Sequence, residues 1–123
     1  NMGTLTQTRL SEIEVAVEAA GTANKPWVMD PVGCGSSPFR LDACRAIGQK
    51  RPNVMRGNAS EIITLAGALT AAVGARTSGK GVDSTDSTMD ALKIAVNLTQ
   101  ILSNVVVVTG EVDLVTDGNL VVM

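Results

Sequence analysis

The sequence PNVMRGNASE at positions 52–61 decides the fold that we predict for this chain. Its apolar Val-Met pair supplies a short buried strand, and Gly57 allows the backbone to bend tightly after that strand. Asn58 is a good N-cap residue, and Glu61, three residues further on, completes a capping-box pattern. The stretch is therefore predicted to run from a strand through a turn directly into a helix.

Charged and polar groups gather at the end of this predicted strand. Arg56 lies at its carboxyl end, which is where open α/β sheets place their ligands. A cation, a helix N-terminus and a carboxylate thus fall close together, a combination that suits a phosphate and a metal ion. The structural alternative is that Asn58 and Glu61 only cap a helix, which contributes about 1 kcal/mol, and that Arg56 is a solvated surface charge.

Amphipathic helices alternate with apolar strands along the rest of the chain. The predicted elements are a helix over 7–20, a strand over 26–29, a helix over 38–48 capped by Ser37, a strand at 54–55, a helix from the opening stretch to about 69, a helix over 88–103 capped by Ser87, a strand over 105–108 covered on both faces and a hairpin over 114–123. Residues 74–86 are polar and glycine-rich and are predicted to be a loop. This alternation implies right-handed crossovers and a mainly parallel sheet.

Three of the predicted strands end in polar residues, namely Asp30, Arg56 with Asn58, and Thr109 with Gly110. In a parallel sheet all three ends lie along one edge. This convergence predicts a nucleotide or a phosphorylated ligand at that edge.

Two carboxylates could serve a metal ion there. Asp30 precedes a proline, which is common in plain turns, but its carboxylate is also a hard oxygen ligand for magnesium, directly or through water. Glu61 could supply the second carboxylate. Together with Arg56 they fit phosphoryl transfer, in which a metal and a cation offset charge on the moving group.

Two other motifs are incomplete. Residues 74–80 match most of a Walker A pattern, but Gly81 stands where Ser or Thr is needed to hold magnesium. Cys34 lies in the loop after Asp30, yet the chain has no histidine to activate it, so we interpret it as a neutral small residue.

Composition excludes several classes of function. The net charge of −2, without a basic stripe, argues against nucleic-acid binding, and the absence of histidine excludes histidine-based zinc chemistry within these residues. The longest apolar run, 62–73, is too short to span a bilayer, so no membrane association is expected. Cys34 and Cys44, the only cysteines, are typical of reduced thiols in a cytoplasmic protein. Because there is no initiator methionine and the last predicted strand is cut, we expect residues 1–123 to be a single partial domain, truncated at both ends.

Five blocks in this order resemble the hydroxyethylthiazole kinases: NMGTL at 1–5, DPVG at 30–33, RGNASE at 56–61, GKGVDS at 79–84 and VTGEVD at 108–113. The resemblance implies a ribokinase-like fold, a three-layer α/β/α domain with a mainly parallel sheet. It also implies phosphorylation of the hydroxyl of 4-methyl-5-(2-hydroxyethyl)thiazole by ATP with Mg²⁺, in thiamine salvage. Members are commonly trimers, so a homo-oligomer is expected.

The resemblance also implies roles, position by position. Asn58 and Glu61 match an Asn-x-x-Glu motif tied to magnesium and phosphate. Arg56 and Thr109 match positions that contact the nucleotide. Asp30 matches the acidic residue near the metal and the phosphates.

Other family features are expected outside the chain. The glycine-rich anion hole and its cysteine should lie beyond Met123, and a methionine that contacts the thiazole should precede Asn1. No catalytic residue is therefore expected within these residues. Alternatives that stay open are another ribokinase-like vitamin kinase, an ATP-dependent hydrate dehydratase, and a nucleotide-binding fragment without catalysis.

Overall fold

The computed structural model describes residues 1–72 and 88–123. Its elements, in chain order, are α1 (Gln7–Thr22), β1 (Val28–Met29), a 3-10 turn (Cys34–Ser36), α2 (Pro38–Gly48), β2 (Val54–Asn58), α3 (Ala59–Ala72), α4 (Thr88–Leu102), β3 (Val105–Thr109), β4 (Leu114–Thr116) and β5 (Val121–Val122). This order confirms the predicted alternation. The predicted loop over 74–86, the Walker-like stretch 74–80 and the cap at Ser87 lie outside the described residues.

Five strands form one sheet in the order β1-β2-β3-β4-β5. The pairs β1–β2 and β2–β3 are parallel, and the pairs β3–β4 and β4–β5 are antiparallel. The parallel pairs are those joined through helices, as a crossover requires. The last pair is the predicted Asp-Gly hairpin, in which Gly118 has a φ of 94° that favours glycine. An α/β fold is therefore confirmed.

Local capping residues explain where two of the helices begin. The Thr6 hydroxyl accepts a hydrogen bond from the Arg9 N–H at 3.1 Å, and the Ser37 hydroxyl accepts one from the Arg40 N–H at 3.3 Å. Pro38 occupies the first position of α2, where its missing N–H costs nothing. The Ser-Pro start of α2 is thus confirmed.

The core lies between one face of the sheet and helices α2, α3 and α4. Strand residues on this face are fully buried, namely Met55, Val106, Val108 and Leu114. They belong to one apolar cluster with the helix residues Ile47, Ile62, Leu65, Leu69, Ala95 and Leu98. Helix α1 contributes only partly buried residues to this cluster. The core therefore fixes α3 and α4 against the central strands that lead to the site.

The opposite face of the sheet is less covered. Val28 is 58% exposed, Val115 38% and Val122 54%. Within the described residues Val105 and Val107 are only half-buried, so the prediction that β3 is covered on both faces is not met there. Strands β1 to β3 follow one another in one direction across the sheet, and right-handed crossovers then place their connecting helices on the same side.

Candidate functional site

Polar residues from neighbouring strand ends are joined by direct contacts. Asp30 follows β1, and its Oδ2 atom lies 3.7 Å from Nη1 of Arg56 on β2. Asn58 ends β2 and is paired in register with Thr109, which ends β3. These four predicted residues therefore lie along one edge of the sheet, as the carboxyl ends of parallel strands do.

Glu61, in the first turn of α3, is held by backbone groups. Its Oε2 atom accepts a hydrogen bond from the Asn58 N–H at 2.9 Å, and the Asn58 Oδ1 atom accepts one from the Glu61 N–H at 2.9 Å. This reciprocal pair is the predicted capping box, which is confirmed. The other carboxylate oxygen, Oε1, accepts a hydrogen bond from the Gly33 N–H at 2.8 Å. That bond fixes the carboxylate from a second segment, and nothing in the local sequence pattern indicated it.

Gly57 lies within β2 and is paired with Val108, so the predicted tight bend at this glycine is wrong. The ladder with β3 carries the strand on to Asn58, and α3 follows at once from Ala59. What requires glycine is close packing. A Cβ atom at Gly57 would lie 3.1 Å from Oε2 and 3.2 Å from Cβ of Glu61. The glycine therefore leaves the space that the Glu61 carboxylate occupies.

Asp30 is also oriented by its neighbours, and its side chain is 25% exposed. Asn1 donates a hydrogen bond from Nδ2 to Oδ2 of Asp30 at 2.8 Å, and its own Oδ1 accepts one from the Gly3 N–H at 2.7 Å. Arg56 is 54% exposed, so its guanidinium can meet both Asp30 and an anion from solvent. Only the place of Asn1 in the first resemblance block pointed to it from the sequence.

The two cysteines are buried and free. Burial, and secondly the charge of Glu61, raises the pKa of Cys34 to about 11. Burial, with the neighbouring Cys34 as the next cause, raises the pKa of Cys44 to about 12. Both thiols are therefore protonated at neutral pH, which agrees with the interpretation of Cys34 as a neutral small residue and removes it as a nucleophile.

The sequence model of the hydroxyethylthiazole kinase family matches residues 1–123. This chain belongs to the hydroxyethylthiazole kinase family. A hydroxyethylthiazole kinase of Tolumonas auensis is 44% identical over 122 residues, which are 99% of this chain and 43% of that protein. A hydroxyethylthiazole kinase of a Psychrobacter species is 48% identical over 118 residues, 96% of this chain and 41% of that protein.

A solved structure gives the same relationship in three dimensions. The hydroxyethylthiazole kinase protein from Pyrococcus horikoshii OT3 matches with a TM-score of 0.77 at 30% identity, over 98% of this chain and 41% of that one. The resemblance and the ribokinase-like fold class are therefore confirmed. This family member spans less than half the length of the relatives that it matches.

The donor set at the sheet edge of this hydroxyethylthiazole kinase family member fits one kind of metal site. No group of three or more His, Cys, Asp or Glu side chains converges among the residues whose side chains the structure describes, so these residues do not form a closed protein cage. Mg²⁺ usually needs only one or two carboxylates, because water and substrate phosphates supply its other oxygens. Asp30 and Glu61 are both oriented by hydrogen bonds. Their two carboxylates fit a Mg²⁺ ion whose other oxygen ligands come from water and substrate phosphates.

In the part of the chain that the structure describes, none of the helices has the length and apolar character needed to cross a bilayer.

Proposed function

We propose that this chain carries the metal- and nucleotide-binding half of a kinase that phosphorylates the hydroxyl of hydroxyethylthiazole with ATP and Mg²⁺. One observation supports this most directly. In a chain matched over its whole length by the family, the Asp30, Arg56 and Glu61 side chains lie at the carboxyl edge of a parallel sheet, and each is held there by a specific partner.

The roles that we propose for these residues follow from their charges and contacts. Mg²⁺, when bound, would supply a Lewis acid that offsets negative charge on the phosphates. Asp30 and Glu61 would hold it through their carboxylate oxygens, directly or through water. Arg56, half exposed beside Asp30, presents its guanidinium N–H groups to the phosphates. Asn58 keeps Glu61 in place, and the Thr109 hydroxyl seats the nucleotide.

Preorganisation is the main contribution that we assign to these residues. Glu61 is already fixed by two backbone N–H groups, so it does not need to reorganise when phosphate charge arrives. In the step itself, the bond between the γ-phosphorus and the β–γ bridging oxygen breaks as the alcohol oxygen bonds to that phosphorus. ADP leaves with the bridging oxygen, and the hydroxyl proton passes to a base. We propose, as the family resemblance implies, that this base lies outside residues 1–123. Cys34 is not a candidate, because its raised pKa keeps the thiol protonated at neutral pH.

We further propose that the protein is a cytoplasmic homotrimer and that residues 1–123 form part of one domain. The partly exposed valines on the less covered face of the sheet support burial of that face by further protein, either the rest of the domain or another subunit. Light scattering on a family-length protein that carries these residues tests the oligomer, and a mass of one or two subunits would contradict it.

The proposed activity is tested by ADP production in a family-length protein that carries this chain. We expect ADP to form only when hydroxyethylthiazole and Mg²⁺ are both present. Matched reactions, with pyridoxine or a hydrated nicotinamide cofactor in place of the thiazole, test the alternative activities of this fold as another vitamin kinase or a hydrate dehydratase. ADP formed with one of these compounds and not with the thiazole would overturn the proposal.

A further inference from the structure

Arg40, on α2, binds three backbone carbonyl oxygens with its half-buried guanidinium. Nη2 donates to the Met2 oxygen at 2.7 Å and to the Val32 oxygen at 2.5 Å, and Nε donates to the Gly33 oxygen at 3.1 Å. Among the side chains that the structure describes, no carboxylate lies within ion-pair distance of this guanidinium. Its positive charge therefore acts on the three peptide groups whose carbonyl oxygens it binds.

One of these carbonyls belongs to the peptide group that holds Glu61. The Val32 C=O and the Gly33 N–H are the two ends of the same peptide unit. Arg40 donates to the carbonyl end, and the N–H end donates to Oε1 of Glu61 at 2.8 Å. Because a charged donor on the carbonyl polarises the whole peptide, the N–H becomes a stronger and better aligned donor to the carboxylate. Arg40 thus acts on Glu61 through one rigid planar group.

A second carbonyl belongs to the segment that holds Asp30. Met2, whose oxygen Arg40 binds, donates its own N–H to the Asp30 carbonyl at 2.9 Å. Its neighbour Asn1 donates to the Asp30 carboxylate at 2.8 Å. Arg40 therefore ties together the two segments whose polar groups orient the two carboxylates.

We propose that Arg40 is a positioning residue, which sets the orientation of both Asp30 and Glu61 for a Mg²⁺–nucleoside triphosphate complex. This proposal rests on the proposed function for the identity of the ligand. It extends that function to a side chain that reaches the site only through the peptide of Val32 and Gly33 and through the segment of Met2.

Three variants of the family-length protein test it. Arg40→Met keeps the length of the side chain and removes all three hydrogen bonds, whereas Arg40→Lys keeps the charge but loses the planar fork. Arg45→Met is the matched control, because Arg45 lies on the same helix and makes only an exposed pair with Asp42 at 3.6 Å. The affinity for Mn²⁺ with a non-hydrolysable ATP analogue is measured by calorimetry, beside the Mg²⁺ concentration at half-maximal rate and the melting temperature.

We expect Arg40→Met to weaken metal–nucleotide affinity about tenfold, in the range found for residues that orient metal ligands. Arg40→Lys should recover part of that loss, and Arg45→Met should match the wild type. A folded Arg40→Met protein with wild-type affinity would overturn the proposal, because a purely structural role predicts only a lower melting temperature. If Arg40→Met does not fold, Arg40→Lys decides, and wild-type affinity in that variant overturns the proposal equally.

The outcomes also separate this inference from the proposed function. A wild-type protein that binds the metal–nucleotide complex but does not phosphorylate hydroxyethylthiazole would contradict the proposed substrate. The calorimetric comparison of the Arg40 variants would still stand. A wild-type protein that does not bind the complex would overturn both.

Discussion

Gly57→Ala is the substitution whose effect the structure defines most sharply. The added methyl would lie 3.1 Å from Oε2 of Glu61, 3.2 Å from its Cβ and 3.4 Å from Cδ1 of Ile62. The two contacts to Glu61 are tighter than ordinary van der Waals distances, and one of them involves Cβ, which cannot move without the backbone of α3. The backbone at Gly57 lies in regular strand conformation, so the effect is steric and does not come from an unfavourable φ.

The expected loss of stability combines two opposing terms. Overpacking a filled site costs about 1–3 kcal/mol, whereas replacing a glycine within a regular element returns about 0.5–1 kcal/mol of chain entropy. The net destabilisation should be about 0–2.5 kcal/mol. The displaced carboxylate of Glu61 should also lower turnover, by roughly fourfold for a shift of about 0.3 Å, since a shift of 1 Å costs about a hundredfold.

Gly67→Ala is the matched control, because nothing lies within 4 Å of the added methyl on α3. It should stabilise the protein by up to about 1 kcal/mol through helix propensity. Urea unfolding, followed by the fluorescence of Trp27, measures both variants. If Gly57→Ala were as stable as Gly67→Ala and fully active, the argument that this glycine makes room for Glu61 would be refuted.

Three further predictions concern the same region. Arg56→Ala in a family-length protein should lower turnover at least a hundredfold. The melting temperature should hardly change, because the side chain is half exposed and an exposed ion pair contributes at most about 1 kcal/mol. Wild-type turnover in this variant would contradict the assignment of Arg56 to the site. Glu61→Ala should lower turnover to a similar extent and also destabilise the protein by about 1 kcal/mol, because the helix loses its cap. Glu61→Gln should keep much of the cap but lose the activity. An active Gln variant would argue against a metal-binding carboxylate at this position. Burial raises the pKa of Cys34 to about 11, so the contribution of this thiol to the free energy of unfolding is complete below about pH 9.0 and is lost as the pH rises to about 11, because between these values only the unfolded chain ionises. Urea unfolding across this range should show a smaller loss of stability for Cys34→Ala than for the wild type. An equal loss in both proteins would contradict the raised pKa.

The elements and the edge of the sheet were predictable from local patterns. The capping box of Asn58 and Glu61 joins residues three apart, so a short stretch of sequence is enough to specify it. The convergence of Asp30, Arg56 and Thr109 followed from the alternation of strands and helices, because parallel strands must end at one edge. The family resemblance then supplied roles for these residues that no periodicity contains.

The long-range hydrogen bonds that hold the site together depended on tertiary structure. The Gly33 bond to Glu61 spans 28 positions, and the Arg40 bond to Met2 spans 38. Such contacts are set by how the helices pack on the sheet, and no local propensity records them. Gly57 shows the same limit, since its sequence context suggested a turn while the ladder to β3 and the packing of Glu61 demanded a strand residue without a side chain. The sequence by itself determined which groups reach the edge, because capping hydrogen bonds and hydrophobic periodicity act over a few residues. Tertiary packing decided which further groups orient the two carboxylates there, because Gly33, Asn1 and Arg40 come from distant segments.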